Sequence, residues 1–414
     1  MMTRQSNDGG LQKLATGRDI SLFAKDVADQ SDRLNAVICG KRILMIGGAG
    51  SIGSHTLMQI AGFGPAALHV VDHNENGLAE LVRQMRSQPD RWTLNDFQTL
   101  PIDYGSAAMG HFIKSQPGYD AVLNFAALKH VRSEKDPFST LQMFETNLTK
   151  QARLIGWLKE TGFKGRLFTV STDKAANPAS MMGASKRVME HVLFHSAGAQ
   201  ALGCEKTSAR FANVAFSNGS LPQAFQYRLE RGEPLAVPAD TRRYFVSLEE
   251  SGEICILAAF LAPDQTIAIP RLNPEDHLIL MQDVAEGFLR HHGYEPALYD
   301  DEVLACRSVE QERQQGRWPL LVTPLNTAGE KPYEEFSTEE ETIIEFGLES
   351  LKAVVYLPAQ TKRIEEALLQ LQLILDGTAN APLDKDRLKN IIAHVEPGFL
   401  QTHRDSDLNL DERL

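Results

Sequence analysis

The chain has 414 residues, 42 Lys and Arg against 54 Asp and Glu, and a formal net charge of −12. That balance, with no basic block, excludes a nucleic-acid surface, and no run approaches the ~18 uninterrupted apolar residues of a membrane span or the apolar core of a signal peptide. The length predicts a large domain with a smaller lobe, and Cys39, Cys204, Cys255 and Cys306, far apart and without a CxxC pair, predict buried reduced thiols in a soluble cytoplasmic protein with no metal site.

From the amino terminus, Leu22, Phe23, Val27 and Leu34 form an apolar stripe over Asp19 to Ile38, a docking or oligomerisation helix ending at Gly40. The core begins with RILMI (Arg42 to Ile46), an apolar strand, followed by GGAGSIG and a helix starting near Ser51. Gly47, Gly50 and Gly53 have the spacing of a tight turn that lets a pyrophosphate approach, and the first helical residues, Ser51 and Ile52, bring amides and a dipole that attract its charge. Glycines alone are weak evidence. Here a second strand, ALHVVD, ends in Asp72, where a carboxylate accepts both hydroxyls of a ribose. His73 and Asn74 follow instead of a cation that would hold a 2′-phosphate, which favours NAD over NADP.

The alternation continues with LPID, a strand ending in Asp103 where the residue can meet an adenine edge, a helix over Ala107 to Ser115, and AVLNFAA (Ala121 to Ala127). Ala126 and Ala127 are small enough for a cofactor backbone to pass. Lys129 and His130 follow, within reach of a diphosphate or nicotinamide; a solvated Lys and a packing His are the plainer alternative. A helix over Pro137 to Thr161 carries Asn147 between Phe144 and Leu148, and a buried amide needs partners, which suits it to fixing a strand end. LFTVS (Leu167 to Ser171) is the next strand, so Thr172, Asp173 and Lys174 emerge at its carboxyl end, where open α/β sheets bind ligands. A surface ion pair is the alternative for Asp173 and Lys174. A helix over Ala184 to Ala197 carries Lys186 in its first turn.

Arg210, Asn213, Ser217 and Ser220 lie in a strand-to-loop passage able to donate hydrogen bonds to a diphosphate, and Arg242 and Arg243 add charge-assisted ones unless they are merely solvated. The strand TIAIP (Thr266 to Pro270) and a helix over Leu280 to His292 are assigned to the smaller lobe, and helices over Lys362 to Leu375 and Asp384 to His394 to packing or subunit contacts. The fold expected is α/β, a Rossmann-type doubly wound parallel sheet with a smaller C-terminal substrate lobe and helical extensions. Its parts are an arm (residues 1–40), a NAD-binding domain (41–235), a substrate lobe (236–340, with parts of 205–235) and a C-terminal helical extension (341–414).

Five segments carry a resemblance: GKRILMIGGAGSIGS from Gly40, FAALKHVRSEKDP from Phe125, STDKAANPASMMGASKR from Ser171, RFANVAFSNGS from Arg210 and RRYFVSLEES from Arg242. Together they resemble an extended short-chain dehydrogenase/reductase of the polysaccharide-biosynthesis group, close to UDP-N-acetylglucosamine 4,6-dehydratases, from about residue 18 to about residue 290. The resemblance implies a UDP-sugar substrate, Asp173 as acid at the C-6 oxygen, Lys174 as base at C-5, Lys186 on the nicotinamide ribose, and a homo-oligomer without membrane insertion. Two departures stand out. Met182 occupies the position of the usual tyrosine, and a thioether takes no proton, so Thr172, or Lys174 through a water, is expected to assist at C-4. In PLNTAGEKPYEEF, Gly329, Glu330 and Lys331 match a family segment whose preceding arginine is missing. A nucleotide-sugar epimerase and a non-catalytic NAD or nucleotide-sugar binder remain as alternatives.

Overall fold

The computed structural model describes residues 5–87, 94–129, 134–324, 331–379 and 382–403. Its strands are β1 (Arg42–Ile46), β2 (Ala67–Val71), β3 (Asp96–Leu100), β4 (Ala121–Asn124), β5 (Arg166–Val170), β6 (Glu205–Ala209), β7 (Asn213–Val214), β8 (Leu235–Pro238), β9 (Arg242–Val246), β10 (Thr266–Pro270), β11 (Leu278–Leu280), β12 (Glu295–Tyr299), β13 (Arg317–Thr323), β14 (Ile343–Ile344) and β15 (Leu351–Val355). Nine form one sheet in the order β14-β15-β10-β6-β5-β4-β1-β2-β3. From β10 to β3 every pairing is parallel; β15 alone runs against the rest, pairing antiparallel with β10 on one side and with β14 on the other. This is the doubly wound α/β architecture expected.

The apolar runs explain why this sheet sits inside. In β1, alternate residues face opposite sides: Leu44 and Ile46 join Met109, Leu154 and Val188, while Ile43 and Met45 join Leu57, Ile254 and Leu257. Helices on both faces bury the sheet's central strands, so β1, β2, β4 and β5 read as near-continuous apolar runs. A third core, built from Phe225, Leu235, Phe288, Trp318 and Leu320, supports the smaller lobe, where β12-β13-β8 and β11-β9-β7 form two three-stranded sheets.

Several expectations are corrected by packing. The single arm helix is two short ones, Ala24–Asp29 and Ser31–Ile38, and a further helix, Gln5–Thr16, sends Leu11 and Ala15 into the core of the smaller lobe. The domain boundary at residue 236 does not hold as a single cut: β10, assigned to the small lobe, is fully buried and pairs with β6 and β15 in the large sheet. An apolar, β-branched strand is stabilised most where it is covered on both faces. Cys204 and Cys255 are buried as expected, but Cys39 and Cys306 are exposed, one at a helix end and one on an outer helical face. The helix over 137–160 is interrupted by a π turn at Glu145–Thr149. The carboxy-terminal helices Thr361–Leu375 and Lys385–Val395 lay Ile364, Leu371, Leu388 and Ile392 into the core that holds Met182 and Val188, and helix Met181–His195 is buried along almost its whole length.

Candidate active site

Two adjoining cavities lie beyond the carboxyl ends of the parallel strands. One, of about 420 Å³, is walled by Gly47, Ala49, Asp72, Asp103, Ala126, Ala127 and Lys150. The other, of about 460 Å³, is walled among others by Gly53, Lys129, Thr172, Asp173, Lys174, Met182, Lys186, Asn213 and Arg243. They meet at Gly47, Gly50, Phe125 and Ala127.

The glycine turn fits a diphosphate because there is no room in it for side chains. Gly47 has φ +74°, and a Cβ there would stand 2.6 Å from the Ala126 nitrogen; at Gly53 it would stand 2.4 Å from the Gly47 oxygen. Helix Ser51–Ala61 begins at this turn with no side chain capping its start, a setting that attracts anions. Asp72 ties the turn to the end of β2, accepting from the Ala49 amide at 3.0 Å and the Asn74 amide at 2.9 Å. Asp103 lies in the loop after β3, which ends at Leu100 rather than at Asp103. It accepts from Lys150 Nζ at 2.5 Å and the Gly105 amide at 2.7 Å. Burial pushes the Asp103 carboxyl up, but Lys150 and that amide outweigh it and hold the group below its ordinary value.

The reactive end of β5 is organised around one oxygen. Asp173 Oδ1 accepts from Thr172 Oγ1 at 2.7 Å, from the Lys174 amide at 2.9 Å and from Lys174 Nζ at 3.0 Å. The Asn213 side-chain oxygen stands 3.5 Å from the same ammonium. Asp173 is 2% exposed, yet its other oxygen, Oδ2, is buried without a hydrogen-bond partner. An unsatisfied buried carboxylate oxygen costs stability and calls for a donor. Lys129 faces the same cavity; shelter of its ammonium from water, and then the Lys174 charge, hold it below the ordinary lysine value.

Helix Met181–His195 starts three residues earlier than expected, which moves Lys186 from the first turn to the second. Lys186 Nζ donates to the Val170 carbonyl at 2.6 Å and contacts Met189 Sδ at 3.1 Å. Burial pulls it down to about 8 against the opposing charge of Glu190. The Asn147 side chain, within the π turn, brackets Leu128 by accepting its amide hydrogen and donating to its carbonyl, both at 3.0 Å, and donates to Ser185 Oγ at 3.0 Å. It therefore ties the loop carrying Lys129 to the helix carrying Lys186, not to the strand itself.

Arg210 is a correction. Expected to hold a diphosphate, it is fully buried, and its five N–H donors are taken by Glu190, Glu341 and the Phe336 carbonyl at 2.7–3.1 Å. Burial opposes its charge, and the two glutamates more than offset that. Ser220 caps helix Leu221–Arg231 by accepting from the Gln223 amide, though it, Ser217 and Asn213 line the larger cavity. Arg243 lines it too, while Nη1 donates to the carbonyls of Lys331 at 2.9 Å and Pro332 at 3.2 Å. His130, Gly329 and Glu330 lie outside the described residues.

Sequence reasoning missed Glu134, whose two oxygens accept from the amides of Met181 and Met182 at 3.0 and 2.9 Å and which burial pushes up to about 7. It also missed Glu190 and Glu341, the partners of Arg210. An acid placed before an apolar helix was the only signal available for Glu134, and nothing local pairs residue 210 with residue 341.

A family model described as "Polysaccharide biosynthesis protein" matches residues 43–354. An "Uncharacterized membrane protein MJ1061" of Methanocaldococcus jannaschii is 29% identical over 340 residues, covering 81% of this chain and 86% of its own. A UDP-N-acetylglucosamine 4,6-dehydratase (inverting) of Campylobacter jejuni subsp. jejuni is 29% identical over 217 residues, and the match spans 51% of this chain and 61% of that enzyme. The solved structure of Pen from Bacillus thuringiensis superposes with a TM-score of 0.62 over 81% of this chain and 99% of that one, at 19% identity, a likeness of fold. No helix among the described residues is long and apolar enough to cross a membrane. On the extent of the family match, the chain belongs to the polysaccharide-biosynthesis protein family.

Proposed function

We propose that the protein is an NAD-dependent enzyme that modifies nucleotide sugars, and specifically a 4,6-dehydratase acting on UDP-N-acetylglucosamine. The observation that carries this reading is the pairing of Lys174 with a buried Asp173 whose second oxygen has no partner, inside a cavity adjoining the glycine turn. The residues present fit the cofactor: the turn has no room for side chains, Asp72 is held at the end of β2, and Asp103 stands at the far wall. Bound NAD supplies a reversible hydride acceptor that takes hydride from C-4 of the hexose and returns it to C-6.

The chain's own residues handle the protons. Dehydration needs an acid for the departing C-6 oxygen and a base for the C-5 proton, two groups that differ in protonation at one pH. Moving one proton across the 3.0 Å Lys174–Asp173 contact turns an ion pair into an amine and a carboxylic acid without changing the net charge. Lys174 then takes the C-5 proton while Asp173 protonates the C-6 oxygen, which leaves as water, and Lys174 returns a proton to C-5 at the end. Over the cycle Asp173 has lost one proton and the C-4 hydroxyl has released one. The C-4 proton leaves first, while Asp173 still holds its own, so it passes through Thr172 Oγ1 to water, and Asp173, 2.7 Å from that hydroxyl, recovers a proton by the same route once the C-6 oxygen has gone. This relay takes over the role that Met182 cannot fill.

Incubation with NAD and UDP-N-acetylglucosamine in heavy water is expected to give a product lighter by one water and carrying deuterium at C-5. An epimerised sugar of unchanged mass apart from exchange would show an epimerase. Absence of product would support a non-catalytic binder, the reading that Met182 favours. Lys174→Ala is expected to lower turnover by at least ~100-fold; full activity of that variant would overturn the mechanism.

A further inference from the structure

Residues 331–336 form an irregular strap at the cleft. It is held at several points: the Arg242 amide donates to the Pro332 carbonyl at 2.8 Å, Arg243 donates to the carbonyls of Lys331 and Pro332, and Lys331 Nζ donates to the Asn177 carbonyl. Further along, Asn177 donates to Glu335 at 2.7 Å, Phe336 packs against Tyr244 at 5.2 Å between ring centroids, and the Phe336 carbonyl accepts from Arg210. These anchors lie on the loop that follows Lys174, on β9 and at the end of β6, so the strap crosses the rim of the larger cavity.

In the middle of the strap sits Glu334, 5% exposed. Its one ion pair among the described residues is a loose one, 3.7 Å to Lys331, a neighbour on its own strap. A carboxylate is not normally buried this way without a use for its charge. The charged groups around it are Lys174 and Asp173 from the turn after β5, Arg243 from β9, and Lys331. Burial raises the Glu334 carboxyl and so does Asp173, while Lys174, Lys331 and Arg243 pull it down. The strap anchors and the buried side chain place the group; the charges around it say what it acts on.

We infer that Glu334 is a positioning residue that sets the pH range over which the Lys174–Asp173 pair works. Its negative charge favours the ammonium form of Lys174 and the protonated form of Asp173, so removing it makes Lys174 lose its proton more readily and Asp173 hold one less well. Both limbs of the turnover profile then move to lower pH, because the base is freed earlier and the acid is lost earlier. This rests on the dehydratase reading for its effect on turnover, though not for its effect on the charges.

Two measurements on the full-length protein with NAD test it. In the first, kcat for UDP-N-acetylglucosamine is followed against pH for the wild type, Glu334→Gln and Glu334→Asp. The Gln variant is expected to shift both limbs down by about half a pH unit or more, and the Asp variant to restore their positions even if its maximal rate is lower. Superimposable normalised profiles, or an upward shift, would overturn the inference, and a lower rate without a shift would reduce Glu334 to packing. In the second, lysines are reductively methylated with a carbon-13 label, the Lys174 resonance is assigned by its loss in Lys174→Arg, and its titration is compared between wild type and Glu334→Gln. A downward move with no turnover in either protein would uphold Glu334 and reject the dehydratase reading. An unmoved titration would reject Glu334 whatever the turnover.

Discussion

Asp72 illustrates how one carboxylate serves both the fold and the ligand. Two of its acceptor positions are spent on the Ala49 and Asn74 amides, which fixes the glycine turn against the end of β2 before any ribose arrives. Asp72→Ala therefore removes a charge-assisted contact and slackens the turn. NAD binding measured by calorimetry is expected to weaken by about 1.5–3 kcal/mol, and unchanged affinity would show that the ribose contact is misplaced. Asp173 shows the complementary case: three donors converge on one oxygen and none on the other. Both acids were legible from their places at strand ends. The donors that surround Asp173 were legible only as neighbours in sequence, and its unsatisfied oxygen not at all, because satisfaction depends on groups brought in by other elements.

Among the elements, the strand–turn–helix unit of β1 and helix Ser51–Ala61 was read correctly to within a residue, since apolar run, glycines and helix follow one another in sequence. Its tolerance is small. A side chain at residue 53 would begin 2.4 Å from the Gly47 oxygen, so Gly53→Val is expected to open the turn, abolish NAD binding measured by calorimetry and destabilise the fold by about 1–3 kcal/mol. Retained binding would mean that the turn adapts. The helix over 137–160 was read as regular, and the π turn within it went unseen because it follows from how Asn147 meets Leu128 and Ser185. The carboxyl ends of β3 and β4 were drawn three residues too late, at Asp103 and Ala127, because pairing with the neighbouring strand stops at Leu100 and Asn124, which the local sequence does not mark.

At the scale of the molecule, buried charge links distant parts of the chain. Ser171 donates to Glu190 at 2.6 Å, Glu190 and Glu341 enclose Arg210, and Arg187 reaches Glu341 at 2.5 Å and Glu396 at 3.5 Å. The end of β5 is thus braced by residues more than 150 positions further on. A different buried acid makes a pH test possible. Glu253, 4% exposed and beside Ser21, is pushed up to about 7 by burial, with Glu249 and Glu250 adding to that and the Ser21 hydroxyl opposing it. Because the folded carboxyl holds its proton above the pH at which the unfolded one releases it, stability falls as pH rises from about 4.5 to about 7, and the cost is complete above that. Glu253→Gln removes the cost. Its Tm is expected to match wild type near pH 4 and exceed it by a few degrees at pH 8; a difference that does not vary with pH would overturn the assignment.

The amino-acid sequence by itself determined the alternation of strand and helix, the dinucleotide turn, the acid after β2 and the reactive group after β5, because each is a local pattern whose meaning lies within about twenty residues. Only the tertiary structure decided that β10 belongs to the large sheet, that Arg210 is spent on buried glutamates instead of holding ligand, and that Glu334 is buried within reach of the charges of Lys174 and Asp173. Those outcomes depend on which distant segments share a buried space, and a charge is useful or merely satisfied according to the partners that burial leaves it.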